Sequence, residues 1–235
     1  MWDDRFESLE EQALGPIAAD VEMNQDLDEL VTELQAIPEY RTLFNVAFPN
    51  EGISIENLAK AIATYERTVV SAVAPFDSWI AGDELAISEA AKRGFDLYNG
   101  KANCTACHSG WNFTDDSFHD IGLPDDDNGR GDILPEIEAM AHAFKTPTLR
   151  NVELRGPYMH DGSLADLLAV INHYDEDGVK RPSLSSDMKP LNLTQAEKID
   201  LIFFLATLTS RDDPVPLPVL PNGKSMVVTK LKVQE

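Results

Sequence analysis

The residues best suited to chemistry in this chain are Cys104-Thr105-Ala106-Cys107-His108. Two thiols three residues apart on one helical turn reach the two vinyl groups along one porphyrin edge. The adjacent imidazole then projects beneath the iron, so C-x-x-C-H is the attachment pattern of a c-type haem. Three other uses of these residues are weaker. A structural zinc site takes four ligands, usually from two Cys or Cys/His pairs, and no second pair exists. A thioredoxin-like redox pair belongs in a βαβ unit, and no strand pattern surrounds this one. A chance surface pair sits oddly after a well-formed helix. The iron's second axial ligand is left open by spacing, since His119, His142, His160, His173, Met140, Met159, Met188 and Tyr174 all follow the motif.

The elements that must position this motif read as helices. Apolar residues at 27, 30, 31 and 34 have a helical period. Ser54 is an N-cap for a helix with Ile55, Leu58, Ala59, Ile62 and Tyr65 on one face, running to about Val73 before Pro75. Ser88 caps a helix through Ala91, Phe95 and Leu97 that Gly100 stops. Residues 164–174 are helical again, and Thr194-Gln195-Ala196-Glu197 is a capping box opening an apolar helix over 198–208. Residues 110–157, rich in Gly, Asp and Pro, read as long irregular loops. From Asp212 the tail carries four prolines within ten residues, then Met226-Val227-Val228, a short edge strand. The fold class is therefore all-α with long loops, and such loops need something large to organise around. A buried cofactor supplies it.

Composition narrows the function. With 235 residues, 43% hydrophobic and 8% aromatic, the chain has material for a core and is neither disordered nor fibrous. Nineteen Lys plus Arg against 41 Asp plus Glu give a net charge of −22, which argues against nucleic acid and anionic membrane surfaces and favours a basic or neutral partner. Two cysteines are too few for a disulfide framework. No segment reaches the roughly 18 apolar residues of a membrane span. The opening Met-Trp-Asp-Asp-Arg lacks the basic and apolar regions of an export signal.

Several ordered segments resemble the bacterial di-haem cytochrome c peroxidase family, including its MauG-type enzymes. They are Trp2-Asp3-Asp4-Arg5, Ser8-Leu9-Glu10-Glu11-Gln12-Ala13 with Gly15-Pro16, Tyr65-Glu66-Arg67-Thr68, Pro75-Phe76-Asp77 and Lys92-Arg93-Gly94. Phe144-Lys145-Thr146-Pro147-Thr148-Leu149-Arg150-Asn151 and Gly156-Pro157-Tyr158-Met159-His160-Asp161-Gly162 complete the set. The resemblance covers about residues 1–210. It implies that 1–74 is the helical back half of an amino-terminal, peroxidatic cytochrome c-like domain. Residues 75–212 would be the carboxy-terminal cytochrome c-like haem domain, and 213–235 a Pro-rich tail. Such a half domain exposes apolar faces, so a preceding amino-terminal segment or a companion chain carrying a second haem is expected to complete it.

Residue by residue, the resemblance implies that Gln12 and Glu22 belong to the distal pocket above the peroxidatic haem. There a carboxylate takes a proton from peroxide and returns it to the leaving oxygen. On composition alone Glu22 is one solvated acid among many. Trp2 matches the tryptophan between the two haems, an electron relay. Tyr174, fourteen residues after His160, stands where the classical peroxidases place a methionine ligand and MauG-type enzymes a tyrosine. Cys104, Cys107 and His108 then attach the electron-transfer haem. The backbone carbonyls of Arg155 and Pro157 align with inter-haem calcium ligands; the acidic stretch 115–132 lacks EF-hand spacing and reads as solvated. The implied function is a haem c oxidoreductase of di-haem peroxidase type using hydrogen peroxide, docked by a basic redox protein and located in the periplasm, where haem c is attached. The alternative is a mono-haem electron-transfer cytochrome. Only one C-x-x-C-H is present, so one covalent haem per chain is expected.

Overall fold

The computed structural model describes residues 2–211 and 219–221; the edge strand expected at 226–228 lies outside them. The chain divides into two compact units. Phe6–Val70 belongs to one, and the first five residues with Ser71–Asp212 to the other.

The unit built from Phe6–Val70 holds four helices: α1 (Leu9–Ala18), α2 (Leu27–Ala36), α3 (Pro38–Ala47) and α4 (Ile55–Glu66). Local caps explain their starts. The Ser8 hydroxyl accepts from the Glu11 N–H, the Asp26 carboxylate from Asp28 and Glu29, and the Ser54 hydroxyl from Asn57. Pro38 opens α3 at a position that needs no N–H donor. α1 packs on α4 with Ala13, Ile17, Ala59 and Ala63 buried, and Arg67 grips Glu10 through two bonds of 2.9 and 3.0 Å. α4 ends at Glu66, short of the extent expected from periodicity. The residues beyond it include Val69, Val70 and Val73, whose branched Cβ atoms crowd a helical turn, and the Thr68 hydroxyl donates back to the Tyr65 carbonyl.

The second unit contains α5 (Pro75–Ile80), α6 (Glu89–Asn99), α7 (Leu167–Asp175) and α8 (Gln195–Ala206). Both anticipated caps form here: the Ser88 hydroxyl accepts from Ala91, and Thr194 with Glu197 makes the reciprocal capping box. Between α6 and α7 the described chain has short 3₁₀ turns and one antiparallel pair, β1 (Phe118–His119) with β2 (Phe144–Lys145), Phe118 opposite Lys145. This is an all-α unit with long irregular loops, as the sequence implies.

α6 and α8 cross at Gly94. A Cβ there would stand 2.0 Å from the Asp200 carbonyl oxygen and 2.8 Å from the Phe204 Cβ, so the helices approach as only glycine permits. The crossing seats Phe204, fully buried, against Phe76, Phe95 and Tyr98, with ring centroids 5.6, 5.3 and 4.9 Å away. Arg93 locks the outer side with two 2.8 Å bonds to Asp200. Replacing Gly94 by Ala gains about 1 kcal/mol of helix propensity but overpacks the crossing against backbone. Gly94→Ala should therefore lower unfolding stability by about 2 kcal/mol net, read by denaturant titration.

Candidate haem site

α6 aims the motif. Gly100 and Asn103, the latter at φ 52°, turn the chain out of the helix into a 3₁₀ turn over Cys104–Ala106. The His108 N–H closes that turn onto the Cys104 carbonyl at 2.8 Å. Tyr98, on the last turn of α6 and 2% exposed, donates its hydroxyl to the His108 carbonyl. The His108 ring is held separately: Nδ1 lies 3.0 Å from the Phe113 carbonyl oxygen. A carbonyl only accepts, so Nδ1 carries the proton and Nε2 keeps its lone pair.

Phe113 is buried edge-on to Tyr98 and Phe76, with centroids 6.1 and 5.4 Å apart. The loop between His108 and Phe113 is fastened by Arg150. Its guanidinium donates to the Trp111 carbonyl at 2.7 and 3.1 Å, bonds Asp77 at 2.7 Å and lies over the Phe113 ring.

The protonation states match a thioether site. Burial pushes the Cys104 thiol up to about 12; burial and the nearby Asp115 and Asp187 push Cys107 to about 11. Both stay thiols at neutral pH, unlike the low-pKa thiolates of redox pairs and metal centres. Burial lowers the His108 imidazole against the opposing pull of the Phe113 hydrogen bond, so the ring is neutral and able to ligate. Tyr174, on α7, is pushed up by burial and then by the charges of Cys104 and Cys107, which places its hydroxyl within electrostatic reach of both thiols. That hydroxyl makes no hydrogen bond among the described residues. Two free thiols on one turn, a neutral imidazole and a half-buried phenol without a hydrogen bond fit a covalently held haem.

Three of the other histidine candidates are engaged elsewhere. His173 Nε2 lies 2.8 Å from the Ile121 carbonyl, His119 Nε2 2.8 Å from Asp115, and His142 Nδ1 2.8 Å from the Asp127 carbonyl. His160 stacks on Phe144. Cys107, Asp115 and His119 bring ligand atoms within 4.8 Å of one another, but Cys107 belongs to the haem turn.

The remaining sequence-derived residues fall as follows. Gln12 is half-buried on α1, and Glu22 is exposed in the turn after it, its N–H bonded to the Ala19 carbonyl. Trp2 accepts from the Lys145 N–H through its carbonyl, its side chain half exposed. Arg155 and Pro157 are exposed, and their carbonyls accept no hydrogen bond among the described residues. Tyr98, Phe113 and Arg150 hold the site and carry no signal of that role in the motif. Phe113 acts through its backbone carbonyl, which any side chain leaves available.

A clamped C-x-x-C-H turn carried by a long-looped helical unit defines a c-type cytochrome. Residues 91–209 match the cytochrome c family, and residues 1–85 match the family described as di-haem cytochrome c peroxidase. The chain is 52% identical over 225 residues to methylamine utilization protein MauG of Methylophilus methylotrophus, covering 94% of this chain and 67% of that protein. It is 52% identical over 223 residues to the MauG protein of Methylorubrum extorquens, covering 94% and 63%. The solved structure of a MauG-like protein associated with microbial copper homeostasis superposes with a TM-score of 0.79 at 33% identity, over 87% of this chain and 69% of that one. The chain thus spans about two thirds of the length of these relatives. It belongs to the di-haem cytochrome c peroxidase family of haem oxidoreductases, which includes MauG.

α7 reaches its place through a buried ion pair. Asp120, its side chain fully buried, accepts two bonds of 2.7 and 2.6 Å from Arg181, one of 2.7 Å from Ser183 and one of 2.8 Å from the Gly122 N–H. The next residue, Ile121, holds His173, beside Tyr174. Burial alone would raise the Asp120 carboxyl, but these hydrogen bonds, Arg181 foremost, hold it below the usual carboxylate range. Its stabilisation is therefore full above about pH 4 and lost as pH falls through the lowered native value. Asp120→Asn should cost about 3–5 kcal/mol near neutrality by stranding Arg181. It should also flatten the acid limb of the stability profile, both read by denaturant titration across pH.

Proposed function

We propose that this chain carries the electron-transfer haem of a di-haem oxidoreductase that consumes hydrogen peroxide, passing single electrons between a partner protein and a peroxide-reacting haem. The observation that supports this best is the Tyr174 phenol, half-buried and without a hydrogen bond, within electrostatic reach of the two attachment thiols. When bound, haem c supplies a couple that takes up and returns one electron at a time. Cys104 and Cys107 would hold it through thioethers and His108 through Nε2. The Phe113 carbonyl, by drawing the Nδ1 proton, makes Nε2 the more electron-donating ligand. Tyr174 would be the second ligand. With its pKa raised and no hydrogen bond, its oxygen gives up a proton only where a cation meets it. A phenolate favours ferric and higher oxidation states more than a methionine does.

In this reading residues 1–74 supply the back half of the peroxidatic domain, with Gln12 and Glu22 in its distal pocket and Glu22 shuttling the peroxide proton. Residues 75–212 form the electron-transfer domain, and Trp2 relays electrons toward it. A preceding segment or companion chain provides the second haem, and the free carbonyls of Arg155 and Pro157 are offered to a calcium ion between the two. The partner is a basic redox protein attracted by the charge of −22 and weakened by salt. In this reading the protein works in the periplasm, where haem c is attached. No helix among the described residues is long and apolar enough to cross a membrane. The second reading, a mono-haem electron-transfer cytochrome, is favoured by the single C-x-x-C-H.

Tyr174→Phe should convert a low-spin ferric haem to high spin by electron paramagnetic resonance and visible absorption; an unchanged spectrum removes Tyr174 as a ligand. The two functions separate by stopped flow. The haem-loaded chain alone should accept one electron yet turn over peroxide only after the second haem half is supplied. Turnover by the lone chain overturns the division of labour, and no turnover in the two-haem assembly leaves the electron-carrier reading.

A further inference from the structure

His160 belongs neither to the haem turn nor to the Tyr174 helix, yet it is set as a ligand would be. Its side chain is 9% exposed. Its ring lies nearly parallel to Phe144, with centroids 3.6 Å apart and planes 11° from each other, which fixes the direction of its nitrogens. Nε2 is buried and has no hydrogen-bond partner, a costly state for a polar atom away from water.

Two carboxylates face that nitrogen. Asp125 Oδ1 is 3.6 Å away and Asp127 Oδ2 3.9 Å away. Both distances are too long for a hydrogen bond. Each suits a pair of atoms sharing one ion, since ligands about 2.0–2.2 Å from a metal stand roughly 3–4 Å apart. The three donors are not all within 4.8 Å of one another, so one carboxylate has to move in to close the site. The carboxylates are oriented from behind, because Asp125 Oδ1 accepts from the Asp127 N–H and Asp127 Oδ1 from the Gly129 N–H, each at 2.9 Å. Asp127 Oδ2 is left over. Its side chain is 57% exposed, so it can swing toward the ion and gives the ion a way in. Asp127, Asp132 and His160 also line a cavity of about 380 Å³, with room for the waters that would complete a coordination shell.

The donor set selects the metal. Calcium and magnesium take oxygen ligands throughout, whereas an imidazole with carboxylates suits borderline divalent cations such as zinc, cobalt or manganese. We propose that Asp125, Asp127 and His160 form a binding site for one such cation, zinc fitting best. The ion would staple the acidic loop around 125–132 to the loop that carries Pro157 and Met159. The sequence alone makes this acidic stretch a solvated loop; the buried, unpaired imidazole beside it is what changes the assignment.

The test is equilibrium dialysis of the haem-loaded chain against Zn²⁺, followed by elemental analysis. One zinc per chain beyond the haem iron is expected. His160→Gln and Asp127→Asn should each weaken binding at least tenfold. Asp127→Asn alters an exposed side chain, so it decides the matter even if the His160 variant fails to fold. His119→Gln, which disables the Cys107–Asp115–His119 cluster, should leave binding unchanged. The proposal falls if no stoichiometric zinc is retained, if Asp127→Asn binds as tightly as the parent, if His119→Gln abolishes binding, or if equimolar Ca²⁺ displaces the zinc.

Discussion

Everything about this site depends on one residue being held at two points. His108 is bound through its carbonyl by the Tyr98 hydroxyl and through its ring by the Phe113 carbonyl. The first bond fixes where the backbone leaves the haem turn, and the second fixes which nitrogen is protonated and which faces out. Neither partner is on the surface. Tyr98 and Phe113 are both wedged into the aromatic cluster around Phe204, and that cluster exists because α6 and α8 approach at Gly94. The orientation of a single imidazole is thus set by the packing of two helices, one of them about a hundred residues along the chain from the motif.

That dependence explains which parts of the molecule were legible in the sequence. The caps at Ser54, Ser88 and Thr194 were readable because a capping bond spans three residues and needs nothing from the rest of the fold. The haem turn was readable for the same reason. α1 was not, since Pro16 inside it argues against a helix and only burial of Ala13 and Ile17 against α4 outweighs it. The far end of α4 was misjudged because apolar spacing continues past Glu66 while the branched valines do not support a helix. The neighbourhood of Tyr174 was invisible: four histidines and four methionines follow the motif with no local feature to rank them, and contacts such as Ile121 with His173 span some fifty residues.

The loop from Gly100 to Asp166 shows how a long irregular segment is kept in place without regular structure. Its fixed points are polar: Asp120 with Arg181, Thr114 with the Thr146 carbonyl, Thr148 with Asn112, and Arg130 with the carbonyls of Asp3 and Asp4. The buried charge of Asp120 is paired with Arg181, which limits its desolvation cost and forbids alternative arrangements of the loop around it. A large planar cofactor gives such a loop a surface to wrap. The polar fixed points decide how it wraps.

Arg150 has a further consequence. Its side chain, 9% exposed, simultaneously holds Asp77 at the start of α5 and, in the haem loop, the Trp111 carbonyl and the face of Phe113. So α5, the haem loop and the segment around Arg150 itself, three stretches in all, cannot separate one at a time. Loosening any of them strands a guanidinium away from water and withdraws support from the other two. α5 and the haem loop should therefore open as one cooperative block in native-state hydrogen exchange, more slowly than the exposed turns around them. A segment without helix or strand then shares the kinetic persistence of the core.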